Sequence, residues 1–255
     1  MTQAISIKRE GSIATVIIDR GQKRNALSQD MVLELTRIAQ AFHDDTDTQC
    51  VVLTGNDTEF SAGIDLSDPD RWNLDEKSFL ERRNIALRGT KMCKAWEDMP
   101  QITIAAIEGL NVGGGIALTL TCDWRVMAES AFLYVPEVQI GIPLGWQTIP
   151  RLVNMVGAAR AKQIVLLGDR MSAAKASEWG IVDFLVPDGT ARSYAESLAK
   201  RVAAMPDVAV RMSKQNINAV ANALNHLGSH MDLDQAMLCG QTAEAKAGRN
   251  AFTKS

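Results

Sequence analysis

Two short glycine turns carry the features of this sequence best suited to chemistry. NVGGGIALTLTCDW (111–124) runs three glycines, Gly113 to Gly115, into an apolar stretch that reads as the first turns of a helix. FSAGIDL (60–66) repeats the logic around Ala62, Gly63 and Ile64. Glycine permits positive φ and lets a ligand approach the backbone closely. The N–H groups that open a helix have no intrahelical acceptor, so such a turn can hold negative charge. Two of these turns brought together would form a pair of donors for an oxyanion, an effect of about 3–4 kcal/mol per donor. Between Gly113 and Leu120 there is no acid or base, so the proton chemistry must come from elsewhere. Taken singly, each turn reads equally well as tight packing. A dinucleotide site fits less well, because GLNVGGG lacks the GxGxxG spacing and no acid sits about 20 residues on at the end of a following strand. The phosphate-loop pattern is absent.

The elements that must position these turns alternate between strand and helix. ISIKRE and IATVIIDR read as two strands turning at Gly11, the second almost wholly apolar. Ser28 reads as the N-cap of a helix over DMVLELTRIAQAFHDD. CVVLTG and QITIAAIEG read as buried strands, and the latter leads the chain to the glycines. Residues 67–80 are polar and irregular, a mobile loop by composition, and 81–98 read as helical. WRVMAE and AFLYVPEVQIG read as further strands. Gly157, Gly168 and Gly180 punctuate helical pieces, and residues 191–250 are nearly all helix-forming. This predicts an α/β core over 1–190 followed by a helical region over 191–255.

The 255 residues are 46% hydrophobic with a net charge of −3, ample for a core and unlike a nucleic-acid or membrane-surface protein. Four scattered cysteines without a CxxC pair fit free thiols in a reducing compartment. The first residues lack a signal-peptide plan, and no apolar run approaches the ~18 residues of a membrane span. The expectation is a cytoplasmic protein with neither nucleic acid nor membrane as partner.

RNALS (24–28), FSAGIDL (60–66), GLNVGGGIALTLTCDWRV (109–126), PEVQIGIP (136–143) and LLGDRMSAAKASEWGIVDFLVP (166–187) together resemble the crotonase (enoyl-CoA hydratase/isomerase) superfamily in order and spacing. The resemblance implies a ββα spiral with C-terminal helices that pack homotrimers, often paired as hexamers. It implies an acyl-CoA substrate whose CoA is part of the substrate, with no separate cofactor and no metal. By motif match the N–H groups of Ile64 and Gly114 hold the thioester oxygen as an enolate develops. Family hydratases resemble one another in carrying two glutamates; the matching positions here are Ala117 and Glu137. Hydration activates a water and also delivers a proton to C2, which two carboxylates serve well. Moving a double bond from C3 to C2 needs one base, as in the mitochondrial-type Δ3,Δ2-enoyl-CoA isomerases that this pattern resembles. The resemblance therefore implies isomerisation of 3-enoyl-CoA to 2-enoyl-CoA with Glu137 as proton shuttle.

A second isomerase type and the dienoyl-CoA isomerases have acids where this chain has Gly145, and the latter also at Ala117. Hydroxycinnamoyl-CoA hydratase-lyases share the pattern at 117 and 137, but their phenolic tyrosine has no evident match in Tyr134 or Tyr194. A hydratase helped by a loop acid (Asp68, Asp70 or Glu81) and a catalytically weak acyl-CoA-binding protein stay open. Without the resemblance, Glu137 reads as a surface glutamate. Apolar neighbours at Tyr134, Val135, Ile140 and Ile142 predict a raised Glu137 pKa. Lys23 and Arg24 are read as meeting CoA phosphates or as a solvated pair, and Asp65, beside Leu66, as seating the loop or the adenosine end of CoA. Trp146 is read as a wall of the acyl pocket. His226 and His230, with Asp232 and Asp234 beyond, only imitate a metal site, since the HExxH glutamate is missing.

Overall fold

In a computed structural model, residues 4–21 and 23–252 are described. β1 (Ile5–Glu10) and β2 (Ile13–Ile18) form an antiparallel hairpin. α1 (Gln29–His43) follows with Ser28 as its N-cap, the hydroxyl accepting from the Met31 N–H. β3 (Cys50–Thr54) precedes α2 (Pro69–Trp72) and α3 (Phe79–Glu97). Next come β4 (Ile102–Ile107), β5 (Leu110–Val112), α4 (Gly114–Thr119), β6 (Trp124–Ala128) and β7 (Phe132–Tyr134). α5 (Thr148–Lys162), β8 (Met171–Ser172), α6 (Ala173–Glu178) and β9 (Phe184–Val186) complete the alternating part. α7 (Ala191–Ala203), α8 (Asp207–Ala221), α9 (Asn225–Ser229), α10 (Asp232–Cys239) and α11 (Ala243–Phe252) close the chain.

The main sheet has the order β1-β2-β3-β4-β6-β9, parallel beyond the hairpin. Helices cover both faces, which is why its strands read as continuous apolar runs. On β3, Val51 and Leu53 pack with Leu35 and Phe42 of α1 and Met92 and Trp96 of α3. Cys50 and Val52 face the other way, onto Ala195, Leu198 and Ala199 of α7. The expected division at residue 190 therefore cuts through a packed unit. α7 belongs to the core, because its apolar stripe is the cover for one face of the sheet.

Two further expectations need correction. AFLYVPEVQIG is strand only to Tyr134, and Glu137 sits in the turn that follows Pro136, which has no N–H to offer a ladder. The 67–80 segment is not wholly irregular. Asp68 caps α2, with Pro69 at its first position, where a missing N–H is harmless.

A small second sheet, β5-β7-β8, sets up the site. β5 and β7 run parallel with Val112 opposite Tyr134, so both end at the same edge. Parallel strands present their carboxyl ends to ligands. Ser61 bridges to Asn111 and Leu27 to Ile64, so the RNALS, FSAGIDL, glycine and Glu137 segments lie side by side.

Candidate active site

Local backbone bonds draw the two glycine turns together. The Val112 N–H donates to the Ser61 carbonyl at 2.9 Å, and the Leu27 N–H to the Gly63 carbonyl at 2.7 Å. Gly63 has φ +85°, and a Cβ there would stand 2.7 Å from the Val112 carbonyl oxygen and 3.3 Å from the Gly114 nitrogen. Only glycine lets the turns approach this closely. Among the described residues, neither the Ile64 N–H nor the Gly114 N–H has an acceptor. Both residues line one cavity of about 760 Å³, with Ala117, Glu137 and Trp146.

Glu137 is 7% exposed. Its carboxylate lies against Gly113, where an added Cβ would be 2.5 Å from Oε1. Oε2 is buried without a hydrogen-bond partner. Burial pushes the carboxyl up to about 7, opposed only by a hydrogen bond from its own backbone. Desolvation has thus brought a glutamate into the range of a general base near neutral pH. Position 117, on the first turn of α4, presents only a buried methyl group to the cavity.

The three loop acids named from the sequence do not line the cavity. Asp68 accepts the Gln29 and Asp70 N–H groups, Glu81 completes a capping box with Ser78, and Asp70 is exposed in the first turn of α2. Besides Glu137, the cavity touches one further acid, the exposed Asp75.

Trp146 walls the cavity through an unusual turn. Trp146 and Gln147 both have φ +59°. Consecutive left-handed residues cost about 1–3 kcal/mol each, so the surroundings must hold them. The Gln147 N–H donates to Asp232 of α10 at 2.7 Å, and Arg151 donates to the Trp146 and Gln147 carbonyls at 3.0 and 2.9 Å. Glu97 in turn orients Arg151 at 2.7 Å. The indole lies between two glycines: a Cβ on Gly89 would fall 1.9 Å from its Cε2, and one on Gly114 2.9 Å from its Cζ3. Asp232→Ala is expected to lower unfolding free energy by about 1–3 kcal/mol, because it removes the acceptor of a part-buried N–H in a strained turn. Urea denaturation checks this, and unchanged stability would show that the turn needs no such clamp.

Of the other residues singled out in the sequence, Ile142 and Gly145 line the cavity and the following do not. Asp65 is buried, accepting from Arg20 at 2.8 Å and Lys23 at 3.1 Å. Burial alone would raise its pKa, but bonds from Ser67, Arg20 and Lys23 hold it well below the usual carboxylate range. Lys23 is thereby tied to the loop, and Arg24 pairs with Glu59. Ala62 and Leu66 are half-buried beside them. Tyr134 bonds to Gln139 and Tyr194 stacks on Phe184, so neither tyrosine reaches the cavity. Asp232 and Asp234 are engaged with Gln147 and Arg83, and no group of three His, Cys, Asp or Glu residues among the described ones could hold a metal ion. Sequence reasoning passed over Arg71 and Gly89. Asp68–Pro69 marks a helix start that would have placed Arg71 on a rigid turn. Gly89, inside a helical pattern, signals a close neighbour.

A family model described as enoyl-CoA hydratase/isomerase matches residues 8–254. The chain is 32% identical to a crotonyl-CoA hydratase of Syntrophomonas wolfei, over 97% of this chain and 94% of that one. It is 35% identical to a putative enoyl-CoA hydratase/isomerase, YngF, of Bacillus subtilis, over 84% and 80%. Among solved structures, OdaA of Pseudomonas aeruginosa superposes with a TM-score of 0.89 at 26% identity over the full length of both chains. An enoyl-CoA hydratase from Bacillus anthracis does so at 0.79 and 30%, over 99% of this chain and 96% of that one.

Proposed function

The chain belongs to the enoyl-CoA hydratase/isomerase family, and from that premise we propose that it moves the double bond of a 3-enoyl-CoA to C2, using one carboxylate. The observation that carries this reading is the pairing of a buried, unpartnered Glu137 with a methyl group at Ala117. The thioester oxygen accepts from the Ile64 and Gly114 N–H groups. Glu137, as carboxylate, takes a proton from C2. The C–H electron pair passes into a dienolate whose charge rests on the thioester oxygen. The protonated Glu137 then returns the proton to C4, leaving the double bond between C2 and C3. No water enters and no redox change occurs.

Hydration is the second reading, favoured by the crotonyl-CoA hydratase among the relatives. It would need Glu137 to activate water and protonate C2 without help from position 117. The Ala117→Glu variant separates the two. On the one-base reading it gains hydration of crotonyl-CoA by about tenfold or more over the parent, since a second carboxylate contributes on that order. A parent that already hydrates crotonyl-CoA rapidly, with no gain in the variant, would favour the second reading. Glu137→Gln tests the remaining alternative, an acyl-CoA-binding protein without turnover.

A homotrimer or dimer of trimers completes the proposal. Val208, Met212, Ile217 and Val220 of α8, with Leu224 and Leu227, are large apolar side chains left exposed on one chain. Contiguous apolar surface of this kind fits an association face. Light scattering is expected to give a mass that is a multiple of three chains; a monomer at micromolar concentration would contradict it. No helix of the described residues is long and apolar enough to cross a membrane.

A further inference from the structure

Among the described residues, Arg71 stands in the cavity wall without an ionic partner. It lies on α2 and lines the same cavity as Ile64, Gly114 and Glu137. Its guanidinium sits 5.3 Å from the Trp72 ring and 5.9 Å from the Trp146 ring. Its Nε–H is buried and has no hydrogen-bond partner. Asp68, the acid whose charge acts on Arg71, spends its carboxylate on the Gln29 and Asp70 N–H groups. Burial lowers the guanidinium's pKa to about 10, Asp68 opposing this, so it stays charged at neutral pH.

Cations outnumber acids in the rest of the lining. Arg82, Lys246 and Arg249 also border the cavity, against Asp75 and Glu137. Arg82 donates to the Lys77 and Asp75 carbonyls, and Arg249 stacks over Trp72 at 5.1 Å. Arg71 is half-buried with its Nε shielded, and desolvating a cation is costly unless it is paired and hydrogen-bonded. Aromatic faces hold a guanidinium through its π surface and leave its in-plane N–H fork available. That fork matches a carboxylate in two-pronged geometry.

We propose that the acyl group of the substrate carries a second carboxylate, distal to the thioester, and that Arg71 binds it. The substrate class is then a short dicarboxylic acyl-CoA. This rests on the reading of the cavity as an acyl-CoA site, but not on whether the reaction is isomerisation or hydration. Trp146 is the spacer between the two ends of the acyl group: its ring edge touches Gly114 at the oxyanion donors and its face carries Arg71.

Saturated thioesters test the proposal without turnover, since they can be neither isomerised nor hydrated. Calorimetry on the full-length protein would compare glutaryl-CoA with pentanoyl-CoA, and adipyl-CoA with hexanoyl-CoA, with CoA alone as a third probe. The expected result is that at least one dicarboxylic member binds about tenfold or more tighter than its partner. Arg71→Met is expected to collapse that ratio, and Arg71→Lys to restore part of it. Equal affinity within both pairs would overturn the proposal. So would an Arg71→Met variant that weakens CoA alone as much as the dicarboxylic thioester, which would assign Arg71 to the CoA phosphates. If the parent protein bound no thioester at all, the acyl-CoA reading would fall with it. Turnover of 3-hexenoyl-CoA with no preference in either pair would overturn this inference alone.

Discussion

Glu137→Gln is expected to lower kcat by about a thousandfold, within the range that a positioned acid–base group contributes, while KM changes little. The amide keeps the shape of the side chain, and the oxyanion donors are backbone groups that the substitution does not touch. The same change has a second consequence, in stability. Burial raises the carboxyl from its ordinary value near 4.5 to about 7. Below 4.5 the folded and unfolded chains both hold the proton. Between 4.5 and 7 the unfolded chain releases it and the folded chain does not, so stability falls as pH rises through this window. Above 7 the loss is complete, at about 3 kcal/mol by linkage. Glu137→Gln removes this penalty and should raise the melting temperature at pH 8 while lowering turnover. In the parent enzyme kcat/KM should climb with pH through about 7 and level above it, because the base acts as carboxylate. A profile flat between about pH 5 and 8, or a variant that turns over at the parent rate, would place the base elsewhere.

Gly63→Ala is expected to reduce kcat by about a hundredfold to a thousandfold, the range seen when one oxyanion donor is lost. The added methyl group would stand 2.7 Å from the Val112 carbonyl oxygen, a backbone atom that cannot rotate away. The turns must then separate, which pulls the Ile64 N–H out of register with the Gly114 N–H. The residue must also hold φ +85°, a conformation that adds about 1–3 kcal/mol of strain for a residue with a Cβ. Steady-state kinetics beside thermal denaturation resolves the two effects. Parent-like kcat in a folded variant would show that the Ile64 donor carries no developing charge.

Local chemistry was the legible part of this chain. The hairpin at Gly11, the Ser28 cap and both glycine turns follow from a few neighbouring residues, and each lies where the sequence puts it. What long-range pairing decides was not legible. β5 is three residues squeezed between Gly109 and Gly113, and its register with β7 is what carries Glu137 to Gly113. The turn from Gly145 to Thr148 puts its positive φ on Trp146 and Gln147 rather than on its glycine, and Asp232, more than 80 residues away in sequence, holds it there. α7 reads as part of a helical tail by composition and belongs to the core by packing. Lys23 and Arg24 illustrate the converse: two cations suited to phosphate pair with Asp65 and Glu59, which their sequence neighbours do not announce.

The most direct test of one-carboxylate chemistry is product analysis by mass spectrometry in D2O, with 3-hexenoyl-CoA and crotonyl-CoA offered separately. 3-Hexenoyl-CoA is expected to be converted to the 2-enoyl isomer without gain of water, and crotonyl-CoA to be left unhydrated. Rapid addition of water to crotonyl-CoA, with the 3-enoyl thioester unchanged, would contradict this expectation.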